Sequence, residues 1–133
     1  MWHYGYLQRF YAKKWHLINL EKLVFPGAKV LDYGCGDSPY RELINSRQGN
    51  YLGIDIKETK FGSLFDGIRA PFNDESFDVV ILAEILPLVP DSKSLIKDCQ
   101  RLLRPNGKLL VSTSFIYPML GAKTLFQDGF KFD

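Results

Sequence analysis

The sequence predicts an α/β fold, a doubly wound sheet of parallel strands in the order 3-2-1-4-5. Three observations predict it. A short β-prone run, Lys29 to Leu31, opens into a turn containing Gly34 and Gly36, and a second strand ends in Asp55, nineteen positions after Gly36. Further on, Phe77–Leu82 and Lys108–Thr113 are apolar runs separated by a helical pattern, the alternation that builds a parallel sheet. Right-handed crossovers with a reversal beside the first strand give that order, and the reversal opens a crevice at the strands' carboxyl ends.

Each element has its own local signal. From Tyr6 to Val24, Leu7, Phe10, Tyr11, Leu17, Ile18, Leu20 and Leu23 recur at mostly helical spacing, with Gln8, Arg9, Lys13, Lys14, Glu21 and Lys22 between them, which predicts an amphipathic helix in one or two pieces. Pro26-Gly27 ends it and leads into the first strand. Asp37 or Ser38 is a suitable N-cap and Pro39 a suitable first residue for a helix over Pro39–Asn45, whose apolar face is Tyr40, Leu43 and Ile44. Tyr51–Asp55 is the second strand. Residues 57–63 are too few and too polar for a full helix, so a shortened crossover is expected, then a brief strand over Ser63–Phe65. Phe77–Leu82 reads as a strand covered on both faces. Asp91 starts a helix with Leu95, Ile96, Cys99, Leu102 and Leu103 inward, and Pro105-Asn106-Gly107 turns the chain into the Lys108–Thr113 strand.

The Gly34–Gly36 turn lets a ligand approach the main chain, and an acid placed as Asp55 is can accept from both hydroxyls of a ribose. Charge then separates the adenosine ligands. Asp32 and Asp37 flank the turn, where a pyrophosphate would be repelled and a sulfonium or ammonium favoured, and Tyr40 and Arg41 stand where a dinucleotide fingerprint has its third glycine.

The chain resembles the class I S-adenosylmethionine-dependent methyltransferases from about Gly27 to Thr113. Val30-Leu31-Asp32-Tyr33-Gly34-Cys35-Gly36 resembles their first motif and Gly53-Ile54-Asp55-Ile56 the second; the stretch from Asp66-Gly67 through Ser76-Phe77-Asp78-Val79-Val80 resembles the third with the strand after it, and Arg101-Leu102-Leu103-Arg104-Pro105-Asn106-Gly107-Lys108-Leu109-Leu110-Val111 the fourth. The resemblance implies a Rossmann-like sheet with S-adenosylmethionine as cofactor. It implies Asp32, Gly34 and Gly36 around the methionine part, Asp55 on the ribose, Ile56 against the adenine, Asp66 accepting from the adenine amino group, and Gly67 and Ala83 as further contacts. Glu84, past the fourth strand, is the candidate for the acceptor. Many relatives carry an acid–histidine pair after that strand; here Pro87 and Leu88 stand in those positions, so no catalytic residue is assigned.

Composition bounds the rest. At 133 residues and 46% hydrophobic the chain supports a single core, and a net charge of +2 makes no case for nucleic acid or membrane. Cys35 and Cys99 have no partners at zinc spacing, so no metal is expected, and reduced thiols with no apolar leader point to the cytoplasm. His3, His16, Trp2, Tyr4, Tyr6, Tyr11 and Trp15 are read as packing residues, with a lid over the site as the alternative for the aromatic ones. Three parts are expected: a helical segment (1–26), the cofactor-binding core (27–114) and an apolar tail (115–133). The tail is too short for the family's last two strands, so the chain is expected to be either a fragment of a longer methyltransferase or a short form whose sheet edge is covered by the tail, a second copy or another partner, with transfer weak or absent. The expected function is methyl transfer to a small molecule. The alternatives are a silent S-adenosylmethionine-binding or partner-binding domain and a nicotinamide oxidoreductase, the last disfavoured by the acids at the turn.

Overall fold

The computed structural model describes residues 2–113, without the side chains of residues 2–6 and 8; the expectations for His3, Trp2, Tyr4, Tyr6 and the 115–133 tail lie outside the described residues. The elements run α1 (Trp2–Leu23), β1 (Lys29–Tyr33), α2 (Arg41–Ser46), β2 (Asn50–Asp55), β3 (Gly62–Leu64), β4 (Phe77–Ala83), a 3-10 turn (Leu86–Leu88), α3 (Ser92–Leu102) and β5 (Leu103–Ser112). All strand pairs are parallel and the order is β3-β2-β1-β4-β5, as expected. Val30 pairs with Val79 and Asp32 with Ile81, so β1 lies at the centre and the chain's reversal falls between β1 and β4.

Successive strand residues point to opposite faces, and here both faces are covered. Leu31, Tyr33, Ile54, Val80 and Leu82 pack with Leu95, Cys99 and Leu102 of α3. Val30, Val79, Ile81 and Leu110 pack with Leu20, Val24, Tyr40 and Ile44 on the α1 and α2 side. Two-sided burial is why β4, after Asp78, is a continuous apolar run.

Several local expectations need correction. Helix α1 is a single element and is not amphipathic: Leu20 is buried and Leu17 and Leu23 half-buried, but Leu7, Phe10, Tyr11 and Ile18 are exposed. Helix α2 starts at Arg41 rather than Pro39, because Ser38 is left-handed (φ 57°) and its N–H closes a turn on the Cys35 carbonyl; no side chain caps the helix. Strand β3 begins one residue early, at Gly62. Leu103 belongs to β5, not to the preceding helix. It pairs with Phe77, and the next pairing is Val79 with Lys108; the expected Pro105-Asn106-Gly107 turn is thus a bulge inside β5, with Asn106 left-handed. Asp91 caps α3 as expected, accepting from the Ser94 N–H.

Candidate functional site

Where β1 and β4 part at their carboxyl ends, a cavity of about 610 Å³ opens. Its floor is the β1–α2 turn. The Gly34 and Cys35 N–H groups both donate to the Ile54 carbonyl, which keeps the turn against β2. Gly34 has φ 79°, which demands glycine, and its bare Cα lets Ile85 pack directly on the turn, where a Cβ would stand 2.5 Å from Cδ1.

Asp55 is the organised acid of the site. It is buried, Oδ2 accepts from the Gly36 N–H (3.0 Å) and Oδ1 from the Lys57 N–H (3.3 Å). Each oxygen retains acceptor capacity, and the residue borders the cavity. The structure brings Gly34, Gly36, Asp55, Ile56, Gly67, Ala83 and Glu84 together around this one space, from four separate stretches of chain.

Two expected residues stand elsewhere. Asp32 does not border the cavity: it is 1% exposed, behind the glycine turn, where its Oδ2 accepts from the Tyr51 hydroxyl at 2.8 Å. Burial pushes its carboxyl up to about 7, against the Tyr51 hydrogen bond and with the aid of nearby Asp37 and Asp55. Asp66 is exposed and also outside the lining; its Oδ1 accepts from the Ile68 and Arg69 N–H groups, which hold it below its ordinary value. Its carboxylate thereby shapes the loop that delivers Gly67 and Ile68 to the cavity. Gly67 has φ 80° and lies close enough to Ile56 that a Cβ would come within 2.8 Å of Cγ2.

Glu84 lies at the cavity wall in a left-handed conformation (φ 59°), its N–H donating to the Ser112 carbonyl of β5. Beyond it Pro87 is buried and Leu88 faces the cavity, 63% exposed. With Phe65, Ile68, Val89 and Leu95, Leu88 makes the opposite wall apolar. Among the described residues no group of His, Cys, Asp and Glu could hold a metal ion, and Cys35 and Cys99 are buried free thiols.

Sequence reasoning missed the network behind the cavity. Asp98 on α3 is buried and accepts from the Tyr33 hydroxyl, the Ala70 N–H and Arg101 Nε, each at 2.9 Å. Arg101 also donates to the Ala70 and Phe72 carbonyls and pairs with Asp74. The network ties the loop after β3 to α3. Its available signal was a charged residue at position 98, inside the Leu95, Cys99 and Leu102 face.

A family model described as "Methyltransferase domain" matches residues 31–111. Among the curated relatives, the ubiquinone biosynthesis O-methyltransferase of Pseudomonas aeruginosa is 30% identical over a 129-residue alignment that takes in 80% of this chain and 56% of that one. The chain thus spans just over half the length of that relative. Among solved structures, a SAM-dependent methyltransferase from Aquifex aeolicus superposes with a TM-score of 0.61 at 16% identity, covering 86% of this chain and 77% of that one. A cyclase, SpnF, does so with 0.64 at 18% identity, covering 84% and 54%. At such identities the likeness shows the fold alone, and the cyclase illustrates that this fold does not dictate one reaction.

Proposed function

The chain belongs to the methyltransferase domain family, and from that premise we propose that it binds S-adenosylmethionine in the β1–β4 crevice and transfers its methyl to a hydroxyl oxygen of a small molecule. The observation that carries this reading is the Asp55 carboxylate, held by the Gly36 N–H at the border of the 610 Å³ cavity. The residues present fit the cofactor: the acceptor capacity left on Asp55 suits two ribose hydroxyls, Ile56, Phe65 and Ile68 give the cavity an apolar lining suited to an adenine, and a cavity of this volume is of ligand size.

Bound there, S-adenosylmethionine supplies an already activated methyl group, so the protein's work is mainly alignment. Gly36, with open space on its Cα, leaves room for the methionine end to lie on the main chain. Asp32, behind the turn, favours cationic groups there through its negative potential once ionised. Glu84, at the cavity wall just past β4, is the acid we propose toward the acceptor. The apolar wall around Leu88 and Val89 suits an acceptor with an apolar ring or chain, and an oxygen acceptor accords with the name carried by the curated relatives.

A second reading is a binding domain without transfer, favoured by Pro87 and Leu88 standing where relatives have an acid and a histidine. Calorimetry with S-adenosylmethionine, its demethylated product and NAD tests the binding, and transfer of labelled methyl to simple phenols tests the reaction. Binding of the first two without NAD supports the cofactor; binding without transfer favours the second reading. No binding of either sulfur compound removes both.

A further inference from the structure

Asp32 is a buried acid without a counter-ion. It is 1% exposed, its carboxylate is bonded by the Tyr51 hydroxyl at 2.8 Å, and none of the ion pairs among the described residues includes it. Each element around it contributes titratable neighbours. The β1–α2 turn gives Asp37 and the Cys35 thiol, β2 gives Tyr51 and Asp55, and Tyr40, just before α2, lies in the field of both Asp32 and Glu84. His16 of α1 packs against Tyr40 with ring centres 5.3 Å apart, but burial lowers its pKa to about 4, so it is neutral at pH 6; Arg41 of α2 lies over the Phe61 ring instead. The cluster is acidic, with no cation inside it.

A carboxyl placed in this way resists charge, because burial strips its hydration and Asp37 and Asp55 repel it. The glycine turn stands between it and the cavity, and Gly36 has open space on its Cα, so a cation lying on the turn would supply the counter-charge that the protein lacks. Tyr51 is set for that change, since an O–H donor favours the ionised carboxylate. Beside it the Ser38 hydroxyl is buried without a hydrogen-bond partner among the described residues, a spare donor that can turn toward the Tyr51 oxygen and strengthen its bond to Asp32. We propose that Asp32 is neutral before ligand binds, that a cationic ligand over the glycine turn makes it release its proton, and that Tyr51 positions the resulting carboxylate. This rests on the reading of the cavity as an S-adenosylmethionine site. The ligand keeps its own charges; one O–H bond of Asp32 breaks, the proton passes to the buffer, and the site gains one negative charge opposite the ligand's positive end.

The test is titration calorimetry of the full chain with S-adenosylmethionine at pH 6, where the ligand's ammonium stays protonated, repeated in buffers of different ionisation enthalpy to count protons. With its pKa pushed up to about 7, Asp32 holds roughly nine-tenths of a proton at pH 6 before binding, so release of roughly 0.5–0.9 proton per ligand is expected. By the same linkage the affinity should rise roughly tenfold from pH 5.5 to 7. Asp32→Asn should bind with no proton exchanged and a flat profile. Tyr51→Phe, which loses the donor to the charged form, should move the rise to higher pH, a displacement that a packing role for Tyr51 would not produce. Circular dichroism checks that each variant is folded, and the count on the unaltered chain stands without them. Binding with no proton exchanged at pH 6 would overturn the proposal and leave the cofactor reading in place, whereas no binding at all would overturn both. Release that persists in Asp32→Asn would overturn the assignment to Asp32, and an unmoved profile in Tyr51→Phe the role of Tyr51.

Discussion

At the residue scale, acids of the same kind have been given opposite work by their surroundings. Asp55 is held ready by two main-chain N–H groups, and Asp55→Ala should weaken S-adenosylmethionine binding by about 1.5–3 kcal/mol, since charge-assisted bonds to two hydroxyls are lost. Unchanged affinity by calorimetry, with the fold intact, would remove the ribose assignment. Asp32 and His16 make a matched test of pH. The Asp32 pKa is raised from 3.8 to about 7, so the folded state holds a proton the unfolded state has released, and stability falls as pH rises through that window. Burial lowers His16 from 6.5 to about 4, so the unfolded state binds the extra proton and stability rises with pH from 4 to 6.5. The two slopes oppose each other between pH 4 and 6.5, each worth a few kcal/mol by the linkage of about 1.4 kcal/mol per unit. Urea titrations should therefore show Asp32→Asn gaining stability with rising pH and His16→Gln losing it. Equal slopes in the two variants would contradict both assignments.

At the scale of elements, the loop after β3 is held both by apolar packing of Phe65, Ala70 and Phe72 and by the charged Asp98–Arg101 network. Asp98→Ala would leave the Arg101 guanidinium, the Tyr33 hydroxyl and the Ala70 N–H short of an acceptor, and should cost about 3–5 kcal/mol, against about 1 for Tyr33→Phe. A cost under about 1 kcal/mol for Asp98→Ala in denaturant titration would show that the network contributes little. This is also where the sequence was least legible. The strands and the Gly34, Gly36 and Asp55 arrangement follow from periodicity and spacing, which are local, and the strand order from the handedness of the crossovers. Asp98 depends on partners twenty-eight and sixty-five residues away, and no pattern within α3 announces them. The α1 error has a related cause: Leu7 and Ile18 satisfy a helical period as well as Leu20 does, and only tertiary structure tells which face is inward. Asp32 is instructive in the other direction, since its spacing matches a ligand-contact motif while Tyr51 has drawn its carboxylate behind the turn.

At the scale of the molecule, a cofactor that binds only the folded chain must raise its melting temperature. At a hundredfold excess over Kd, S-adenosylmethionine should add about 2.7 kcal/mol, a shift of several degrees for a domain of this size, while NAD should add none. A comparable shift with NAD would favour the dinucleotide reading. The strand order has a further consequence, in time rather than space. Strand β1 needs β2 on one side and β4 on the other, yet β4 ends at Ala83, long after β2 ends at Asp55. At roughly 5–20 residues per second, a growing chain spends a few seconds with a central apolar strand made and one of its edges unpaired. The region most hidden in the finished protein is thus the one most exposed while it is being made, and the hazard ends only when the same strand that closes β1 also opens the crevice.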